Sequence, residues 1–358
     1  AQSFIFKDVP ARPVPSLNRG FSAPIRLQDD LTSSDLGFLA AHDSDPFNRW
    51  QAVQSIATAL LVENVSALRA GRPPRQEPAL QKALRAVLDN PAPEPAFMAQ
   101  TLALPSESDI AREIGQDVDP DAIFAARAAL RRAVGEALAD RLLDMAETMR
   151  DAGPYSPDAG SAGRRSLKNA CLDLLAAARP ATLARVAEQY RMADNMTDRM
   201  AALAILSLYA TPEREAALDD FAQRFADNPL VLDKWFALQA GIPEAGTLDR
   251  VQRLTRHPAF SFTNPNRVRS LIGAFAQGNQ TQFNRADGAG YDFVVDAVLS
   301  LDARNPQVAA RLMGAFKSWR ALEAGRRGKA QAALQRAQAV ANLSRDVADI
   351  VGRALAEG

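Results

Sequence analysis

The stretch Phe260-Ser-Phe-Thr-Asn-Pro-Asn-Arg-Val-Arg-Ser-Leu-Ile-Gly-Ala-Phe275 shows where one helix begins and what it buries. Asn264 is a strong N-cap, and Pro265 suits the first helical position because its missing N–H would have no intrahelical partner there. Val268, Leu271, Ile272 and Phe275 then supply an i, i+3, i+4, i+7 apolar stripe. Arg267 and Arg269 stand in the first two turns, where the positive end of the macrodipole disfavours a cation by roughly 0.3–1 kcal/mol. Solvation or a neighbouring carboxylate would account for them. So would a cavity at the helix start that receives an anion or a carbonyl, with the free N–H groups, Asn264, Asn266 and a guanidinium as donors. The two arginines lie about 200° apart around the axis, so only one of them is expected to face such a ligand.

The same punctuation recurs along the chain. Asp45-Pro46, Asp119-Pro120, Thr211-Pro212, Asn228-Pro229 and Asn305-Pro306 each pair an N-cap with a proline at the next position. Helical runs are expected over 47–70, 123–150 as one long element, 165–179, 183–192, 200–209, 214–225 and 231–240. From Leu31 onward no stretch reads as a strand. In the second half the helices arrive about every 15–20 residues, so pairs would repeat at about 35–40, a spacing found in helical-repeat families. No fixed signature recurs, and the expectation is an all-α, irregular, HEAT-like superhelix. Loops are expected at 70–75, 89–95 and, rich in glycine and proline, 153–163.

Residues 1–28 differ. Phe4 and Phe6 alternate with polar neighbours, Val9 to Pro15 is held extended by prolines, and Phe21, Ala23, Ile25 and Leu27 alternate again. The pattern predicts two short strands. A strand pair alone is marginal, so it reads as the end of a β domain whose other strands lie elsewhere.

Composition narrows the function classes. The chain of 358 residues is 47% apolar and 23% charged, as expected of a folded protein. Its 42 Lys+Arg against 42 Asp+Glu lack the basic excess of a nucleic-acid binder. No run approaches the roughly 20 apolar residues of a membrane span, and residues 1–7 lack a signal-peptide pattern, so a cytoplasmic location is expected. The single cysteine, Cys171, excludes an intramolecular disulfide and reads as a small buried residue. His42 and His257 lie far apart, and no Cys/His/Asp cluster has metal-ligand spacing. His257, immediately before a proline, reads as a helix C-terminal residue rather than a base. Asn305-Pro-Gln-Val-Ala-Ala-Arg311 repeats the opening design, with Gln307 and Arg311 sharing one helix face and Val308, Leu312, Ala315, Phe316 and Trp319 on the buried side.

The runs 12–24, 166–172, 193–203, 233–239, 264–275 and 304–311 closely resemble the C-terminal part of the bacterial aminopeptidase N family, the alanyl aminopeptidases among the M1 zinc metallopeptidases. The resemblance spans essentially the whole chain and is loosest at 64–90 and 153–163. It implies that 1–28 are the last strands of a β-sandwich, and that 29–358 form a C-terminal helical domain shaped as a bowl over a catalytic domain. The family's zinc-binding H-E-x-x-H and its G-x-M-E-N motif do not occur here, so zinc is expected in a catalytic domain of the same polypeptide. This chain is then expected to hold no cofactor and to be inactive alone. By resemblance, Arg269, Gln307 and Arg311 line the cavity on the leaving-group side of a short peptide, and Asn264 and Asn266 belong to the same motif. Without its catalytic partner the bowl would expose an apolar rim open to self-association. The alternative from another class is a helical-repeat scaffold that binds a protein partner through its concave face. Its mark would be exposed aromatics, whereas Trp50, Trp235 and Trp319 all fall in apolar stripes.

Overall fold

The structure, a computed structural model, describes residues 5, 7–25, 27–90 and 94–356. It is all-α: among the described residues there is no strand, only an isolated parallel bridge between Val118 and Leu322. The chain forms two compact units, Ala1–Ser106 with Ala126–Thr182, and Glu107–Ala125 with Leu183–Gly358. None of the three points where the chain passes between them falls in the 153–163 loop.

All six Asx/Thr-Pro pairs start helices at the proline: Pro46–Arg69, Pro120–Ala137, Pro212–Arg224, Pro229–Ala240, Pro265–Val268 and Pro306–Met313. The cap side chains make the expected bonds. Asp45 Oδ1 accepts from Phe47 N at 2.8 Å, Asp119 Oδ1 from Asp121 N at 3.0 Å and Asn228 Oδ1 from Val231 N at 3.2 Å. Pro78–Asp89 and Pro95–Leu102 also begin at a proline behind a glutamate, of which Glu77 caps through Ala79 N and Glu94 makes no cap bond; neither helix was expected.

In the first unit Pro95–Leu102 packs against Ala159–Ala178, where Gly163 leaves so little room that a Cβ would lie 3.1 Å from Ala96 N. Ile56, Leu60, Leu80, Leu84 and Cys171 form part of the buried interior. Burial pushes the Cys171 thiol up to about 12, so it stays protonated and unreactive. Three expectations need correction here. The run 123–150 is two helices, Pro120–Ala137 and Ala139–Thr148, broken at Leu138, where φ is −110° and ψ 8°. The break carries no proline, and it follows the point where Gly135 would drive a Cβ to 2.3 Å from Leu174 O. The loop at 153–163 ends early, because Asp158 caps a helix from Ala159 by accepting from Ser161 N at 2.9 Å. Trp50 is half-buried rather than buried.

The strand pair expected over 1–28 is also not formed among the described residues; Phe4 and Phe6 lie outside them. Arg19–Phe21 is instead a 3-10 turn, with Asn18, Gly20 and Phe21 at φ of 48°, 62° and 51°. That conformation cannot continue a pleated strand. The turn is pinned to the next helices by Arg19, which donates to Asp43 Oδ1 at 2.7 Å, and by Asn48, which donates to Leu17 O at 2.9 Å.

In the second unit Phe221, Phe236, Phe275, Tyr291 and Phe316 are fully buried. Trp235 and Trp319 are buried with their indoles donating to Leu218 O at 2.8 Å and Ala354 O at 3.1 Å. The strip 107–125 is tied to the C-terminal helices twice. Val118 N donates to Ala321 O and Glu323 N to Val118 O, both at 2.9 Å. Arg326, 6% exposed, pairs with Asp119 at 3.5 Å, with Glu323 at 3.3 Å and with Asp121.

Candidate functional site

The opening stretch divides its polar residues between two jobs. Asn264 Oδ1 accepts from Asn266 N at 2.9 Å and Arg267 N at 3.4 Å, which fixes the first turn. Arg267 then turns inward and is 5% exposed. Its Nε donates to Ala259 O at 2.8 Å, its Nη1 to Pro229 O at 2.7 Å and to Asp233, and its guanidinium lies over the Phe236 ring at 5.5 Å. Ser270 Oγ donates to the same Asp233 carboxylate at 3.0 Å. The bland explanation, a neighbouring carboxylate, therefore holds for Arg267. Arg269 points the other way: it is exposed and donates from Nη2 to Asn266 Oδ1.

At Arg269 the helix also changes pitch. Arg269–Gly273 is a π turn, followed by an α segment, Ala274–Gly278. Such single-turn insertions occur mostly inside α-helices and frequently at functional sites. Val268, Leu271, Ile272 and Phe275 remain at 0% exposure, so the stripe read from the sequence survives the change.

The second capped start is regular. Asn305 Oδ1 accepts from Val308 N at 3.2 Å; Val308, Ala309 and Leu312 are buried, and Gln307 and Arg311 are exposed. Among the described residues the Arg311 side chain has no hydrogen-bond or ion-pair partner. The two helices meet at Gly273, where a Cβ would lie 3.8 Å from both Arg269 Cβ and Leu312 Cδ2. The turn bearing Arg269 thus abuts the residue that follows Arg311.

Of the five candidate residues, the structure leaves Arg269, Gln307, Arg311, Asn264 and Asn266 all exposed, with both asparagine Oδ1 atoms already occupied. Sequence reasoning missed Asp233 and Ser270, which hold this helix start in place. Asp233 lies 34 residues from Arg267, and nothing local links them. His257 follows Thr247–Leu254, as expected of a helix-end residue; its Nδ1 accepts from Ala259 N at 3.1 Å, and burial and then the Arg267 charge lower its pKa. Among the described residues no group of three His, Cys, Asp or Glu side chains could hold a metal, and no helix is long and apolar enough to cross a membrane. The second unit also contains a cleft of about 870 Å³ that none of the five candidates lines.

The fold is thus that of a helical-repeat domain carrying two capped helix starts with outward arginines. The chain belongs to the family described as a domain of unknown function (DUF3458_C) with ARM repeats, whose model matches residues 33–356. It is 41% identical over 349 residues to aminopeptidase N of Caulobacter vibrioides, covering 97% of this chain and 40% of that one. It is 38% identical over 356 residues to aminopeptidase N of Escherichia coli, covering 99% and 41%. Among solved structures, Legionella pneumophila aminopeptidase A in complex with aspartic acid superposes with a TM-score of 0.89 at 26% identity, over 99% of this chain and 42% of that one. The chain spans about 40% of the length of the curated relatives it matches.

Proposed function

We propose that this chain works as the non-catalytic, C-terminal helical part of an M1-type zinc aminopeptidase. In this reading 29–358 form an irregular superhelical bowl over the active-site cavity. Residues 1–28 belong to the end of a preceding β-sandwich. Zinc and the chemistry of peptide hydrolysis reside in the catalytic domain of the same polypeptide. Arg269 and Arg311, with Gln307 beside them, meet the C-terminal carboxylate or backbone carbonyls on the leaving-group side of a short peptide. Asn266 holds the Arg269 guanidinium and Asn264 sets the turn.

The observation that carries this reading is the split between the arginines: Arg267 is consumed by Asp233, while Arg269 and Arg311 stay exposed on helices that touch at Gly273. The aminopeptidase relatives support it at the level of the whole polypeptide. The scaffold alternative gains nothing from Trp235 and Trp319, which are buried.

Two measurements test it. This chain alone, assayed on an alanyl chromogenic amide with metal content determined on the same sample, should show neither turnover nor stoichiometric zinc. In the full-length enzyme, Arg269→Ala or Arg311→Ala should remove a charge-assisted hydrogen bond of about 1.5–3 kcal/mol. That is a roughly 10- to 150-fold loss of kcat/KM on short peptides. Aminoacyl anilides, which lack the carboxylate, should lose much less, and equal losses on both substrates would remove this role.

A further inference from the structure

The cleft of about 870 Å³ lies at the far ends of the two helices whose starts form the candidate site. Ala276, Gln277 and Gly314 to Leu322 line it, so Gln277 stands about 12 Å along the helix from Arg269. One wall is an unusual element. After Met313 the chain continues as a 3-10 helix over Gly314–Ala321, eight residues where three or four are customary.

That geometry sorts the side chains. In a 3-10 helix residues i and i+3 eclipse, giving three rows. Phe316, Trp319 and Leu322 form one row and are buried at 1%, 4% and 7% exposure. Ala315, Ser318 and Ala321 form a row of small residues. Lys317 and Arg320 form the third, both exposed and about 6 Å apart along the axis. In an α-helix these two cations would share a face about 60° apart around the axis, and the 3-10 turn stacks them in one row along the cleft.

The charges around the cleft are unbalanced. Arg112, Lys317 and Arg320 line it against one carboxylate, Glu107, in a chain whose net charge is zero. Arg112 is matched by Asp109 at 3.0 Å. Arg320 spends Nη2 on Ala354 O and Leu355 O, at 3.2 and 2.9 Å, and stacks on Trp319 at 4.6 Å. Lys317 has no hydrogen-bond or ion-pair partner among the described residues, and neither do the side-chain amides of Gln116 and Gln277. A lone ammonium, two amides able to donate and accept, and a wall of small residues suit a peptide strand bearing a carboxylate.

We propose that this cleft is a second binding site, separate from the one at Arg269, for a short peptide segment carrying a carboxylate. Lys317 receives the carboxylate, Gln116 and Gln277 bond the backbone amides, and the small-residue row admits the chain. The carboxylate is either the C-terminal one or that of an acidic side chain.

Titration calorimetry on the 358-residue chain, with N-acetylated probes that have no free α-amine, tests this. The probes are acetyl-Ala-Ala-Ala as the free acid, acetyl-Ala-Glu-Ala amide and acetyl-Ala-Gln-Ala amide. At least one acid should bind while the glutamine amide does not; binding of the first alone identifies a C-terminal carboxylate, and of the second alone a side chain. Lys317→Ala and Lys317→Glu should each weaken the bound acid roughly tenfold or more, and Arg269→Ala should leave it unchanged. Equal binding of the neutral amide, no binding of either acid at millimolar concentration, or a loss on Arg269→Ala without one on Lys317→Ala overturns the proposal.

Discussion

Asp233→Ala should loosen the start of the helix that carries Arg269, by an amount the structure bounds. Leaving one member of a buried ion pair unmatched costs about 3–5 kcal/mol. Here the Asp233 side chain is 19% exposed against 6% for Arg267, and Arg267 keeps its bonds to Ala259 O and Pro229 O. Ser270 also keeps a second acceptor, Arg267 O at 3.1 Å. These residual partners lower the expected loss to about 2–3 kcal/mol. The two units need not unfold together, so a global midpoint would blur the effect. Hydrogen exchange resolved to 265–278 and 229–240 reads it directly: protection there should fall roughly 30- to 160-fold. Asp233→Asn, which keeps an oxygen acceptor for Ser270 and Arg267, should lose only about 1 kcal/mol. The pair Asp233→Leu with Arg267→Met should recover most of the loss, since an apolar replacement leaves no buried charge stranded. Exchange at 265–278 within about threefold of the parent in Asp233→Ala would refute the argument.

Two further outcomes follow from the second unit. Burial and the Arg267 charge hold His257 below its ordinary pKa, so the unfolded chain takes up this proton first as pH falls. The stability that neutral His257 contributes is fully present above about pH 6.5 and lost below it, and urea titrations of His257→Gln between pH 7.5 and 5 should show a shallower decline than the parent. Gly290→Ala should destabilise by about 1–3 kcal/mol in the same assay, because its Cβ would meet backbone oxygens of Phe283 at 2.3 Å and Gln282 at 2.5 Å, which cannot swing aside as a side chain would.

What the sequence made legible was local. Six Asx/Thr-Pro pairs announced six helix starts because a cap and a proline act within one turn, and the stripe from Val268 to Phe275 needed only its own spacing. The two arginines were a harder case. The sequence told that they point apart, but not which one turns inward, because the answer depends on Asp233 arriving from an earlier helix. The break at Leu138 and the 3-10 run after Met313 were hidden for the same reason: tertiary packing sets them, and neither contains a residue that forbids a continuous α-helix. The N-terminal segment failed differently. Its alternation is genuine, but alternation makes strands only where neighbouring strands complete the ladder, and the Arg19 turn bends the described part another way.

The tie between Arg326 and Asp121 spans 205 residues, with the bridge between Val118 and Leu322 beside it. A ribosome adding about 5–20 residues per second makes Asp121 roughly 10–40 s before its partner. Throughout that interval the strip 107–125 has neither its cation nor its bridge, while much of the first unit, including 126–182, is already emerging. The second unit therefore cannot close until Arg326 has been made. Its early strip is the natural place for a chaperone to hold or for a protease to cut a stalled chain.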